Sequence, residues 1–254
     1  VPRGILFSGD LSKRALQPLP EESTNSHELM LELLPDEAVE LKEFARWVMQ
    51  ARPAFDVLPE TTSPAAKSPI AAPPTLRRLL LTKPTKTIAA NAQQLLRQAQ
   101  TSITITAWRL DEDDAFVRML AEKAGQLVVT VLAPATPDNR PALDFLAKRG
   151  AHVLACPGMH AKVILVDQNS SPLAMVSSAN FMHEGMDVGT ELGLKLGSDD
   201  LRLSEVRAFV DELIPHCPSV ATTLKPKVAA TEGSWSQQLS SLKLPVSKPL
   251  YQAE

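Results

Sequence analysis

Two stretches of this chain repeat the same order of residues, and that repetition constrains the fold more than any other feature. Phe7-Ser8-Gly9-Asp10-Leu11 aligns with Ser177-Ser178-Ala179-Asn180-Phe181, each after a short apolar run, Ile5-Leu6 in one copy and Leu173 to Val176 in the other. Downstream, His27-Glu28-Leu29-Met30-Leu31 aligns with Thr190-Glu191-Leu192-Gly193-Leu194. Each copy then enters a helix, about Asp36 to Gln50 and Asp199 to Ile214, and the first copy has extra residues around Pro18 to Ser23. A repeat of this kind decides the architecture before any single element does; the alternative is a chance likeness of two strand–turn–helix units.

The residues between the copies alternate in period. Ile88, Ala92, Leu95, Leu96 and Ala99 share one side of a helix over 87 to 99. Ser102 to Trp108 alternates as a strand. Asp113 to Ala124 reads as a helix with Phe116, Val117 and Leu120 inward, ended by Gly125. Leu127 to Leu132 is nearly all apolar, as a strand covered on both faces must be. Arg140 to Arg149 is helical, with Leu143, Phe145 and Leu146 inward and Gly150 as its cap. Strands follow at His152 to Ala155, His160 to Val166, Leu173 to Val176 and Glu191 to Leu196. Strands alternating with helices, then a run of strands, predict an α/β domain with a mixed sheet and helices on both faces.

The flanks look different. Residues 57 to 74 are rich in Pro, Ala, Ser and Thr, a linker or surface loop. From about Thr222 to Glu254 the chain is polar, with Trp235 and Tyr251 but no periodic apolar face, which predicts a disordered tail. The division predicted is therefore 1–56 for the partial first repeat, 57–76 for the linker, 77–218 for the complete domain and 219–254 for the tail. Ile5-Leu6-Phe7 reads as a strand that starts abruptly, so the sequence is taken as cut inside a domain.

Charge and cysteine content remove some function classes. A formal net charge of -3 over 254 residues argues against a dedicated non-specific nucleic-acid binder, though not against a local basic cleft. Cys156 and Cys217 give neither a disulfide framework nor a metal spacing, so buried, reduced thiols are expected. With no run long enough to span a bilayer and no secretory leader, the expected compartment is the cytoplasm.

The residues that carry chemistry lie between His160 and Glu191. His160 and Lys162 are two apart, which on a strand puts imidazole and ammonium on one face. A ring nitrogen of His160 can attack phosphorus and leave as a phosphohistidine. A lysine on a buried strand face needs an anion, and a substrate phosphate supplies one while stabilising the charge of the transition state. Ser178 and Asn180 can donate to phosphate oxygens or orient His160. Glu191 is expected to accept from the far ring nitrogen of His160 and fix its tautomer, and Asp167 to form a structural turn. Taken singly, each has an ordinary reading: a satisfied histidine at a strand start, an edge-strand lysine, a polar turn, a solvent-facing glutamate.

Taken together, His160-x-Lys162-x4-Asp167 followed by Ser178-x-Asn180 and Glu191 closely resembles the HKD motif of the phospholipase D superfamily. The resemblance covers roughly Leu80 to Ile214 as a whole repeat and Ile5 to about Gln50 as the end of another. It implies two repeats facing each other about a pseudo-twofold axis, with one histidine attacking phosphorus and the other protonating the leaving oxygen. It also implies lysines and asparagines on the phosphate, and no cofactor or metal. Three departures stand out. Ser177 replaces the usual Gly, and the stretch from Asp167 to Ser177 is longer than usual, as a longer hairpin turn at Asn169 to Pro172. The first repeat enters only at Ser8-Gly9-Asp10. There Asp10 puts a carboxylate where an amide belongs, so Ser8, Asp10 and Glu28 form a degenerate half-site.

His27, His152, His183 and His216 sit in no second His-x-Lys pattern. The second histidine must then come from an N-terminal half upstream of Ile5 or from a second copy of the chain; otherwise the site is impaired. The resemblance implies a metal-independent phosphodiesterase, with nucleic acid as the expected substrate and Arg77, Arg78 and Arg109 as candidate backbone contacts. The alternatives are a phospholipase or phosphatidyltransferase, and a non-catalytic nucleic-acid- or partner-binding module.

Overall fold

The structure is a computed structural model that describes residues 4–7, 27–51, 74–169 and 171–220. Ser8, Asp10, most of the predicted linker and the predicted tail from Thr222 onward lie outside the described residues.

The nearly all-apolar segments of the second half form one mixed seven-stranded sheet. Its strands are β3 (Leu79–Leu81), β4 (Ser102–Thr106), β5 (Val128–Ala133), β6 (His152–Ala155), β7 (Lys162–Asp167), β8 (Leu173–Ser177) and β9 (Leu192–Leu196), in the order β3-β9-β8-β7-β4-β5-β6. β4, β5 and β6 run parallel, joined by crossover helices; β7, β8 and β9 are successive antiparallel neighbours. Side chains alternate across the sheet. Ile164 and Val166 therefore face one core with Ile103, Ile105 and Val131, while Val163 and Leu165 face another with Val176, Leu194 and Leu132.

Helices cover the first face. α2 (Thr87–Gln98) buries Ile88, Ala92, Leu95 and Leu96 on one stripe. α3 (Ala115–Ala124) starts at Asp114, whose side chain accepts from the Phe116 N–H at 2.8 Å. α4 (Arg140–Lys148) ends on Gly150 at φ +98°, where Gly150 N–H donates to Ala147 and Ala151 N–H to Leu146, a Schellman close that needs a residue without Cβ. Phe116 of α3 stacks on Phe181 with ring centroids 4.6 Å apart. That contact ties the residue after Asn180 into the core.

The second face is covered by α5 (Arg202–Leu213) and by the first copy of the repeat. β1 (Ile5–Phe7) and β2 (Met30–Glu32) form a two-stranded antiparallel sheet, followed by α1 (Pro35–Ala51). Leu6, Leu29, Leu31, Leu33 and Ala38 share a core with Val163, Leu165, Val206 and Val210. A buried ion cluster fastens the two copies: Arg202 donates to Glu37 at 2.7 and 2.8 Å, to Asp200 and to the Glu32 carbonyl.

Most elements fall where their periodicity places them, and the differences are local. β7 begins at Lys162, so His160 precedes the strand instead of sharing a strand face with Lys162. The reason is a competing partner. His27 and Met159 form a parallel bridge, and the His160 and Ala161 N–H groups donate to the His27 carbonyl at 3.1 and 2.8 Å. β9 begins after Glu191, not at it. Two elements have no counterpart in the expected list, β3 and a single π-helical turn at Glu184–Val188. Among the described residues no helix is long and apolar enough to cross a membrane.

Candidate active site

The register brings the motif to one end of the sheet. Thr106 ends β4 opposite Val163, Lys162 opens β7 opposite Ser177, and Ser177 ends β8 opposite Gly193. The segments after β4 and β8 and before β7 and β9 therefore share the end at which the parallel strands terminate, where open α/β sheets bind ligands.

At that end His160 meets a carboxylate. Its Nδ1 lies 2.6 Å from Glu28 Oε1, with the two side chains 18% and 13% exposed. The His27–Met159 bridge delivers Glu28, because it runs the first copy's strand entry alongside the residues that precede β7. Lys162 is 2% exposed. Its Nζ donates to the His160 carbonyl at 2.8 Å and stands 3.4 Å from Nδ1. An ammonium cannot accept, so the short contact assigns the Nδ1 proton to Glu28 and leaves Nε2 with its lone pair. Between the two, Ala161 is pinned by buried Thr106: its Oγ1 donates to the Ala161 carbonyl at 2.9 Å and accepts from Val163 N–H at 3.1 Å.

Glu191, expected at the imidazole, lies elsewhere. Its carboxylate accepts from the Ser178 hydroxyl, which also accepts from Leu192 N–H at 3.1 Å. This pair links the end of β8 to the start of β9, so Ser178 spends its proton on Glu191. Asn180 is half-buried, and its Oδ1 is fully buried with no hydrogen-bond partner among the described residues. Gly185 makes room for it: a Cβ there would come within 2.6 Å of the Asn180 nitrogen, so the π-helical turn can press on Asn180 only through a glycine. Asp167 accepts from Ser102 at 2.7 Å and from Arg207 of α5, at the far end of β7. Burial pushes its carboxyl up, but the Ser102 hydroxyl and the Arg207 guanidinium outweigh that and hold it below the usual carboxylate range. It fastens the end of β7 to β4 and α5.

The other histidines stay away from the ring of His160. His27 reaches it through its backbone only, and burial pushes the His27 imidazole down. His152 opens β6 at the opposite end, His183 is exposed beside Asp187 at 3.5 Å, and His216 is exposed after α5. The Arg77 and Arg78 backbone N–H groups donate to Glu40 before β3, also at the opposite end. Among the described residues no group of three or more His, Cys, Asp or Glu is placed to hold a metal.

No family model matches the chain, and no curated protein matches it. Among solved structures it is similar to NucT from Helicobacter pylori, at 17% identity over 56% of this chain and 96% of that one, TM-score 0.48. It is also similar to a phospholipase D family member, Nuc from Salmonella typhimurium, at 15% identity over 56% and 96%, TM-score 0.47. A third is polyphosphate kinase from Porphyromonas gingivalis, at 15% identity over 61% of this chain and 27% of that one, TM-score 0.44. In this chain a His-x-Lys segment enters β7 and a Ser-x-Asn segment leaves β8 of a mixed sheet flanked by helices. The chain folds as a mixed seven-stranded sheet with apolar cores on both of its faces.

Within that fold, sequence reading missed three side chains at the site. Glu28 was visible only as a member of the degenerate half-site. Thr106 looked like one more strand residue. Trp108 follows β4 with its ring centroid 5.1 Å from that of His160, tilted by 59°. The alignment of Glu28 with Glu191 was the one available signal, since it marks a carboxylate in the same place in both copies.

Proposed function

We propose that this chain carries one half of a phosphodiesterase site, that of a nuclease acting through a phosphohistidine on His160. The observation that carries the reading is the imidazole held at Nδ1 by Glu28, with a buried ammonium beside it and no partner at Nε2 among the described residues. In the first step Nε2 attacks phosphorus, the P–O bond to the leaving group breaks, and an acid protonates the departing oxygen. Water then attacks the N–P bond and frees the imidazole. Glu28 stabilises the positive ring of the intermediate, and Lys162 with Asn180 takes the phosphate oxygens. Asn180 would act through its Nδ2 donor, the only end of the amide that can meet a phosphate oxygen.

The acid is a second imidazole. His27 is a poor candidate, because burial favours its neutral form. We place the acid in a His-x-Lys segment belonging to the first repeat, or in a second copy of the chain. The repeat supports this. Glu28 of the first copy serves His160 of the second, so by the same relation Glu191 with Ser178 would serve the first copy's histidine. Nucleic acid is favoured over lipid because the segment beside the ring carries a half-exposed indole, Trp108, that a base can meet. The test is cleavage of single-stranded and duplex oligonucleotides in EDTA. Cleavage lost on His160→Ala supports the reading. Turnover of phosphatidylcholine vesicles but not of nucleic acid overturns it, as does oligonucleotide binding without turnover.

A further inference from the structure

We infer that Trp108 is a base-stacking subsite that makes this site selective for single-stranded nucleic acid; the inference deepens the nuclease reading and rests on it.

The indole is held on a rigid mount. Buried Asn139 donates from Nδ2 to the Trp108 carbonyl at 2.8 Å and to the Pro134 carbonyl at 2.9 Å, and its Oδ1 accepts from Leu110 N–H at 3.0 Å. On the other side Phe181 N–H donates to the Arg109 carbonyl at 3.2 Å, and Leu110 bridges Phe181. Trp108 thus lies beside the His160 ring on a segment tied by backbone contacts to Phe181, the residue after Asn180. So much fixing of a surface segment suits a residue whose position matters. The ring itself is only half-buried, whereas Trp47, a packing residue, is 8% exposed. A tryptophan left partly exposed beside the imidazole is a place for a flat partner.

Charge argues for the same partner. Duplex binding is driven by several Lys or Arg side chains displacing counterions. Here the formal net charge is -3, Arg109 is paired with Asp138 at 3.2 Å, and Arg118 with Asp113. Because Arg109, the guanidinium next to Trp108, is already paired, grip of another kind adds to binding. Stacking one base on an aromatic ring supplies about 5- to 150-fold in affinity and is indifferent to sequence. The bases of a duplex hide their faces in the stack, while a single strand offers them, so a platform next to the nucleophile discriminates against the duplex.

The experiment uses the full chain, with binding read by anisotropy of three labelled probes: a short oligothymidylate, the same backbone without bases, and a duplex of equal length. Wild-type protein is expected to bind the oligothymidylate most tightly. Trp108→Ala is expected to weaken that probe alone by about 5- to 150-fold, and Trp108→Phe to retain most of the affinity. Equal wild-type affinity for the baseless and base-carrying strands overturns the inference without any substitution, so it does not depend on how a variant folds. Equal loss on both strands also overturns it, because Trp108 would then merely position His160. Cleavage is scored separately: base-dependent binding through Trp108 without cleavage sinks the nuclease reading and leaves the stacking subsite standing.

Discussion

Replacing Glu28 tests the site at its most specific contact. Glu28→Gln keeps the shape of the side chain but removes the charge that faces Nδ1 at 2.6 Å. A hydrogen bond to a charged partner contributes about 1.5–3 kcal/mol. The bond matters most when the ring is positively charged, in the phosphohistidine, so nearly all of that difference falls on the barrier. The rate constant for turnover should drop about 10- to 150-fold, with little change in KM. A second readout needs no substrate. Nitrogen-15 shifts of His160 report which ring nitrogen holds the proton, and Glu28→Ala should turn a ring protonated at Nδ1 into a mixture of tautomers. Glu191→Gln should leave that spectrum unchanged, since Glu191 is engaged with Ser178. If Glu191→Gln shifts the tautomer and Glu28→Ala does not, the assignment of the two carboxylates is reversed and the geometric argument fails.

Three further outcomes follow from contacts away from the ring. Arg202→Ala strands buried Glu37, which is 1% exposed, and should cost about 3–5 kcal/mol in urea unfolding, while Arg202→Met with Glu37→Met should recover much of it; a loss under about 1 kcal/mol contradicts this. Asp167 has a folded-state carboxyl held below its usual range, so its contribution is complete above the unfolded-state pKa and disappears as pH falls through the lower, folded value. Arg207→Leu should therefore move the acid-unfolding midpoint to higher pH, as followed by circular dichroism, and an unmoved midpoint would show that the pair does nothing for stability. Gly185→Ala puts a methyl group against the Asn180 backbone and should lower kcat/KM about 10²-fold while costing about 1–3 kcal/mol of stability; unchanged activity would remove Asn180 from the site.

What could be read from sequence was whatever depends on local period and residue type. The unbroken apolar run Val163 to Val166 announces a strand, Gly150 announces a helix end, and the His160-x-Lys162 spacing marks the candidate site. Contacts between distant segments were not legible. Nothing near His160 tells that His27 will take its N–H, pull it off β7 and bring Glu28 to its ring. Glu191 was the natural candidate only because it is the nearer carboxylate in sequence. Leu79–Leu81 failed as a predicted strand for another reason: three leucines have no period, and only antiparallel pairing with β9 makes them a strand. The π-helical turn at Glu184–Val188 arises from the close approach of Gly185 to Asn180, again a contact and not a pattern.

The position of Glu28 also bears on how the chain is divided. A Pro/Ala-rich stretch separates the two copies in sequence, and composition alone suggests a partial first unit tethered to a complete second one. The contacts run the other way. Leu6, Leu29, Leu31 and Leu33 fill the same core as Val163 and Val206, Glu37 neutralises Arg202 at the start of α5, and the first copy supplies the carboxylate that the second copy's imidazole uses. A segment that completes both the hydrophobic layer and the reactive group is not an appendage. Residues 77–218 on their own would expose one face of the sheet, leave a buried guanidinium with half its partners, and present His160 with no anion at Nδ1. The N-terminal segment and residues 77–218 thus share one core and one ion cluster, and Glu28 comes to His160 only because they do.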